Sequence, residues 1–127
     1  MIKGFSEEIE KAVIDPLVGI AITELAKGEK LNSFGTRMEV GKKVGCHAHT
    51  HGDEWYIILS GEGTIFLGDI EKQILVNIRS HKVKTGDIFC IPQKTAHQLQ
   101  ANSQLDLIFL CPESHLSADR MMFPDMC

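Results

Sequence analysis

Short apolar runs separated by turn-forming residues are the feature of this sequence that most constrains its fold. The runs are bounded by Gly, Asp, Asn or Pro and recur about every ten residues. They predict strands over residues 18–25, 35–40, 45–50, 54–60, 63–67, 73–78, 81–84, 88–91, 97–101 and 105–111. Such spacing favours an all-β sandwich or barrel over alternating strands and helices, and it leaves open which of the two forms.

The chain is expected to fold as one domain over residues 1–127, because it contains no internal repeat, low-complexity tract or linker-like change in composition. A chain of 127 residues can bury about two-thirds of the surface that its unfolded form exposes. Residues 5–12 predict a short N-terminal helix, with Ser6 as its N-cap and glutamates in its first turn.

Charge and hydropathy exclude several classes of function. A net charge of −4 argues against a nucleic-acid partner, since phosphate contacts require a basic surface. No segment approaches the ~18 consecutive apolar residues of a membrane span, and the N-terminus is acidic where a secretory signal is apolar. The four cysteines are widely spaced, which favours reduced thiols. We therefore expect a cytoplasmic protein with no membrane partner.

Three histidines lie close together in the segment KVGCHAHTHGDEWY. Side chains on a strand alternate between its faces, so His47 and His49 are expected to point to the same side. Two imidazoles about 7 Å apart along a strand can converge on one metal ion. The next two residues, His51 and Gly52, are predicted to form the turn of a β-hairpin.

That turn sets the expected register of the hairpin. It places Glu54 directly across from His49, and Tyr56 across from His47, with all four side chains on one face. His51 would then lie in the turn and outside any coordination sphere. The hairpin thus predicts three metal ligands and a phenol on one inner surface.

The segment GDIFCIPQKTAHQLQ supplies a further candidate ligand, His97. It follows a predicted turn and begins the returning strand. A lone histidine at such a position is more often structural than a ligand. Together with the first cluster, it becomes the natural fourth ligand.

At these residues the sequence resembles the cupin family. The first cupin motif is G, five residues, HxH, three or four residues, E, six residues, G; it is matched in full by Gly41, His47, His49, Glu54 and Gly61. The second motif is G, five residues, PxG, two residues, H, three residues, N; it is matched at Gly86, Pro92 and His97. Lys94 stands where glycine is usual in that motif, and Ala101 where asparagine is usual.

The resemblance covers about residues 35–111 and implies a double-stranded β-helix, the cupin or jelly-roll barrel. It also implies one divalent metal ion inside the barrel, held by His47, His49, Glu54 and His97. Imidazole and carboxylate ligands suit iron, manganese, nickel, copper or zinc, so the ligand set does not choose the metal. Three neutral imidazoles and one carboxylate would leave the ion a net charge near +1, which favours an anionic oxygen ligand.

Two functions are consistent with such a site. The first is a metalloenzyme that oxygenates, decarboxylates or isomerises a small organic anion, as many cupins do. Tyr56, the only tyrosine, would then donate a hydrogen bond or proton to the substrate, although a half-buried structural aromatic is the simpler interpretation. The second is a non-catalytic module that binds or senses a small ligand.

The remaining histidines and Cys46 receive structural interpretations. His81 and His115 have no partner on the same face of a strand and are expected at the surface. Cys46 alternates away from His47, so it should face outward from the barrel or into an interface.

Two apolar segments are expected to be covered. Trp55, Ile57 and Leu59 lie on the face opposite Glu54 and are more apolar than a solvated strand requires. Either the N-terminal segment or a second subunit would cover them, and we predict a homodimer. Residues 121–123 are expected to add a last strand, against the barrel or across the dimer.

Overall fold

The computed structural model describes residues 2–127 as two antiparallel β-sheets packed face to face. A four-residue helix, α1 (Phe5–Glu8), continues as a 3₁₀ turn over Ile9–Lys11, and a second 3₁₀ turn spans Glu113–Leu116. The strands within the described residues are β1 (Val13–Asp15), β2 (Ile20–Lys27), β3 (Asn32–Met38), β4 (His47–Ala48), β5 (Glu54–Ser60), β6 (Glu62–Glu71), β7 (Ile74–Lys84), β8 (Ile88–Ile91), β9 (Thr95–Ala101), β10 (Leu105–Cys111) and β11 (Met121–Met122).

The order of the strands identifies the fold as the expected jelly-roll barrel. One sheet has the order β1-β2-β3-β10-β5-β8, and the other has the order β11-β4-β9-β6-β7. Consecutive strands β4, β5 and β6 alternate between the sheets, so the chain repeatedly crosses from one layer to the other. The main apolar core fills the space between the layers, with Phe34 and Phe109 from the first sheet and Leu99 from the second.

Several predicted strands agree with the structure, and the disagreements have local causes. Strands 54–60, 88–91 and 105–111 have the predicted bounds. The strands predicted over 73–78 and 81–84 are in fact the single strand β7. It lies at the edge of its sheet and is mostly exposed, so its polar residues at 79–81 do not interrupt the pairing with β6. The edge strand β1 was not predicted, because its three residues are too few to show a period.

The N-terminal helix forms within the predicted residues, but its cap differs. Gly4, not Ser6, is the N-cap residue, and the helix begins at Phe5. The Phe5 ring lies against Gly35 in β3, where an added Cβ would come within 2.9 Å of the ring. The absence of a side chain at Gly35 thus allows this close approach, which places the helix against the first sheet.

The C-terminal segment covers the outer face of the second sheet. Strand β11 pairs with β4, which confirms the predicted last strand and places it against the barrel. Phe123 and Met126 pack on a small cluster that contains Cys46 and Ala48. Cys46 thus faces away from His47 as predicted, but it is 1% exposed, because the chain's own C-terminal segment covers it.

No helix among residues 2–127 is both long enough and apolar enough to cross a membrane.

The outer face of β5 and the edge strand β8 remains apolar and exposed. Trp55 is 41% exposed, Leu59 37% and Ile88 60%. Ile57 pairs with Ile88 and so shares this face. The N-terminal segment packs elsewhere on the sheet, so it does not cover these side chains. We propose that this face is the interface of a homodimer.

Light scattering tests the dimer. We expect the wild-type protein to have twice the monomer mass and Leu59→Glu to have the monomer mass, because a buried charge in an apolar interface costs several kcal/mol. The matched control is Ile74→Glu, which changes an exposed side chain on the other sheet and should stay dimeric. A monomeric wild type would reject the interface.

Candidate metal centre

Four predicted ligands converge inside the barrel. His47 belongs to β4, His97 to β9 and Glu54 to the first position of β5, while His49 follows β4 directly. All four are buried, between 1% and 5% exposed. One potential ligand atom from each lies within 4.8 Å of those of the others, so this cluster could bind a metal ion.

The predicted hairpin between β4 and β5 is wrong. His47 pairs with His97 across β4 and β9, whereas Glu54 pairs with Ile91 across β5 and β8. The ligands therefore come from both sheets and face each other across the barrel interior. Gly52 does adopt a left-handed conformation, with φ of +84°, but it lies in a crossing between the sheets and not in a two-residue hairpin turn.

Asp119 holds that crossing segment in place. Its carboxylate accepts hydrogen bonds from the Thr50 N–H at 2.8 Å, the Thr50 hydroxyl at 2.7 Å and the His51 N–H at 2.9 Å. Burial opposes ionisation of Asp119, but these donors lower its pKa to about 2. The His51 side chain points outward and is 88% exposed, as expected for a residue outside the coordination sphere.

Backbone carbonyls orient the three imidazoles. The Nδ1 atoms of His47, His49 and His97 contact the carbonyl oxygens of Gly45 (2.6 Å), Asp119 (2.6 Å) and Thr95 (3.2 Å). A carbonyl only accepts, so each Nδ1 carries a proton, and Nε2 is the ring nitrogen left to face the centre. This arrangement is typical of histidines that bind metal ions through Nε2.

Glu54 brings the negative charge to the centre. Its Oε2 atom lies 2.9 Å from His97 Nε2 and 3.4 Å from His49 Nε2. Burial alone would raise the pKa of Glu54, but the surrounding imidazoles hold that pKa well below its usual value. Burial and the neighbouring His97 lower the pKa of His47 to about 3. An ionised carboxylate and a neutral imidazole are the states that a metal ion requires.

The central atoms lack partners. Within residues 2–127, the buried atoms His49 Nε2, His97 Nε2 and Glu54 Oε2 have no hydrogen-bond partner outside this cluster, and neither has His115 Nδ1 beside them. Unpaired buried polar groups are costly and uncommon in folded proteins. A divalent cation would satisfy all three at once, so the residues fit a metal ion.

His115 is a residue of this site that the sequence analysis missed, and its predicted surface position is wrong. It is 1% exposed, and its ring stacks on His49 with centroids 3.7 Å apart and planes 3° from parallel. Its Nε2 donates to the His51 carbonyl at 2.7 Å, and its Nδ1 faces Glu54 Oε1 at 3.9 Å. His115 lies in a 3₁₀ turn, where side chains do not alternate between two faces. No pattern in the sequence therefore predicts that its side chain points into the barrel.

The turn before His97 accommodates the departure from the second motif. Lys94 has φ of +62°, a left-handed conformation that glycine adopts without steric cost. For lysine the same conformation costs about 1 kcal/mol. Its N–H donates to the His49 carbonyl at 2.6 Å, so the turn is tied directly to the ligand segment.

Tyr56 lies next to the cluster in a narrow, mostly apolar cavity. It is 5% exposed, and its ring meets that of His97 edge-on at 6.3 Å. Burial raises its pKa well above the usual value, so the phenol keeps its proton. The cavity also reaches His47, Glu54 and His115, and its unfilled centre of about 20 Å³ has room for about one water molecule.

A family model described as "Cupin domain" matches residues 36–112. The chain belongs to the cupin family. A relative of this cupin, an uncharacterised protein of Methanocaldococcus jannaschii, is 36% identical over 93 residues, which are 70% of this chain and 67% of the relative.

Solved structures resemble this cupin in fold. For CapF, a capsular polysaccharide assembling protein of Staphylococcus aureus, the TM-score is 0.73 at 15% identity, over 90% of this chain and 31% of CapF. For the oxalate decarboxylase of Bacillus subtilis the TM-score is 0.70 at 16% identity, over 91% of this chain and 31% of the decarboxylase. The cupin spans about a third of either protein, and at such identities the likeness concerns the fold alone.

Removing the His115 side chain should weaken metal binding. We expect His115→Ala to lower the affinity for Zn²⁺ about 10- to 100-fold, because residues that orient ligands typically contribute that much. The measurement is competition with a chromophoric chelator. His81→Ala is the control, since His81 is an exposed histidine on β7, and it should bind as the wild type does. Equal affinities for both variants would contradict a positioning role.

Proposed function

We propose that this cupin is a metalloenzyme that holds one divalent ion per chain and acts on a small organic anion. The ligands would be His47, His49, Glu54 and His97. The observation that carries the proposal is the convergence of Nε2 and Oε2 atoms that are buried and, among the described residues, have no hydrogen-bond partner outside the cluster. A structural polar cluster would be expected to pair these atoms with backbone groups or with further side chains around it.

The charges of the site favour an anionic substrate. With neutral imidazoles and an ionised Glu54, a divalent ion keeps a net charge near +1. When bound, the ion would act as a Lewis acid or, if redox-active, support oxygen chemistry. The apolar walls of the cavity exclude bulk water and strengthen the attraction between the site and a bound anion.

Tyr56 is the proposed hydrogen-bond or proton donor. Its phenol stays protonated because the side chain is buried among apolar groups. It lines the same cavity as His47 and Glu54, so a ligand in that cavity would lie beside it. A phenol can stabilise negative charge that develops on a substrate oxygen.

Decarboxylation, oxygenation and isomerisation are all compatible with this site. The net positive charge expected at the centre supports a small carboxylate as the type of substrate, and one protein that shares the fold is an oxalate decarboxylase. A non-catalytic module that binds or senses the same kind of ligand is the alternative, and turnover separates the two.

Metal content tests the site. In protein purified without a chelating tag, we expect elemental analysis to find about one divalent ion per chain. His49→Ala and His97→Ala should each lose most of it, since each removes one of four ligands. His51→Ala, which alters an exposed neighbouring histidine, should keep the metal. If the wild type contains only traces of metal, and neither ligand substitution changes that amount, the metal site is rejected.

Turnover tests the enzyme. With iron or copper bound, oxygen consumption should be screened against small carboxylates; with other metals, product formation is followed by NMR. In an active assay, Tyr56→Phe should lower kcat about 100-fold at unchanged metal content, because a positioned proton donor contributes 10²- to 10⁴-fold. An unchanged kcat would remove Tyr56 from the mechanism, and a metal-loaded protein without turnover would favour the binding module.

A further inference from the structure

Arg120 is a buried cation at the wall of the cavity. Its side chain is only 7% exposed, yet it lines the same cavity as His47, Glu54 and Tyr56. No other lysine or arginine among the described residues lines that cavity. Buried arginines are normally paired with acids, since an isolated buried charge is costly.

The partner of Arg120 is Asp15, from the other end of the chain. Arg120 Nη2 donates to Asp15 Oδ2 at 2.6 Å, and Arg120 Nε donates to the His115 carbonyl at 2.7 Å. These are the hydrogen bonds that Arg120 makes within residues 2–127, so further donors of its guanidinium remain free. The ordinary reading is a structural ion pair that ties the C-terminal segment to β1.

Two observations favour more than a structural role. The unfilled centre of the cavity, about 20 Å³, is too small for a carboxylate, so a ligand requires something in the wall to move. Asp15 lies outside the lining itself and holds one lining residue, Arg120, from a short edge strand: β1 has three residues and pairs only with β2, and the Asp15 carboxylate has a further donor, the Leu17 N–H at 3.1 Å. Its neighbours Val13 and Ile14 are 73% and 68% exposed, so little apolar surface holds the strand in place.

We propose that Arg120 is the residue that recognises the carboxylate of the ligand, and that Asp15 takes the place of that carboxylate when no ligand is bound. This inference rests on the proposed function, and it adds a substrate class: a small carboxylate with a second oxygen group that reaches the metal ligands. Arginine suits this role because its planar guanidinium binds carboxylates in a bidentate manner.

The exchange keeps the charges of the cavity balanced. While Asp15 is in place, it neutralises Arg120; when a ligand carboxylate replaces it, Asp15 moves toward solvent and the ligand neutralises Arg120. Asp15 is already 19% exposed, so its carboxylate is in contact with the water that would replace Arg120 as its partner. A neutral ligand of the same shape would leave Arg120 unpaired, and the site would discriminate against it.

Opposite effects of two substitutions test the proposal. Binding of malonate and succinate to the Zn²⁺-loaded protein is measured by calorimetry, with malonamide as the uncharged control. Arg120→Gln should weaken binding of the carboxylates about 10- to 100-fold, and Arg120→Lys by less, because lysine keeps the charge but loses the bidentate contact. Asp15→Asn should tighten binding about tenfold, because the competing carboxylate is gone.

A purely structural ion pair predicts a different pattern, in which Asp15→Asn weakens binding or leaves it unchanged; that result would overturn the proposal. Arg37→Gln is the matched control: it removes an arginine–aspartate pair, with Asp106 at 2.7 Å, that lies outside the cavity, and it should leave affinity unchanged. Absence of carboxylate binding by the wild type at millimolar concentration, or equal binding of malonamide, would also overturn it.

Metal content measured on the same samples separates the two levels of failure. If Zn²⁺ does not load onto the wild type, the proposed function fails. If Zn²⁺ loads equally into the wild type and all four variants but carboxylate affinity does not depend on Arg120 and Asp15, only the role of Arg120 fails.

Discussion

The structure of this site depends on one ionised carboxylate, Glu54, held between two β-sheets. Moving a carboxylate out of water costs several kcal/mol unless the surroundings supply compensating charge or donors. Here the compensation comes from His115, His49 and His97, whose ring nitrogens face Glu54 and lower its pKa, and carbonyls bonded at Nδ1 set the orientation of the last two rings. The rings therefore cannot turn toward other partners without breaking a short hydrogen bond, and the centre is prepared for a cation.

Much of the fold could be predicted from the sequence because it is encoded locally. Strands β5, β8 and β10 are continuous apolar runs between turn residues, so their bounds could be read directly. The clustering of the candidate ligands His47, His49, Glu54 and His97 was also anticipated, through strand alternation and the two cupin motifs. The reason given for their convergence was wrong, however: β4 and β5 look like a hairpin in sequence but belong to different sheets. A loop of a few residues is equally compatible with a turn and with a crossing between layers.

The residues that escaped prediction share a different property. His115, Asp119 and Arg120 belong to a segment of turns after the last long strand, where side-chain direction follows no period. Their contacts span 64 to 105 residues of sequence, to His51, Thr50 and Asp15. Such contacts arise from the closed barrel and leave no trace in the local sequence. The sequence therefore identified the candidate ligands, and it missed the residues that orient them and that close the cavity.

Asp119 has a consequence for the order of events during biosynthesis. The backbone carbonyl of Asp119 contacts Nδ1 of His49, which lies 70 residues earlier in the chain. The carboxylate of Asp119 accepts a hydrogen bond from the N–H of Thr50, 69 residues earlier. A ribosome releases residues 47–54 long before it releases Asp119, so the candidate ligands are made well before the group that orients one of them. Both strands of the β5–β10 pair have also been synthesised before Asp119. Any metal capture that needs the native orientation of His49 would consequently follow barrel formation and would not nucleate it.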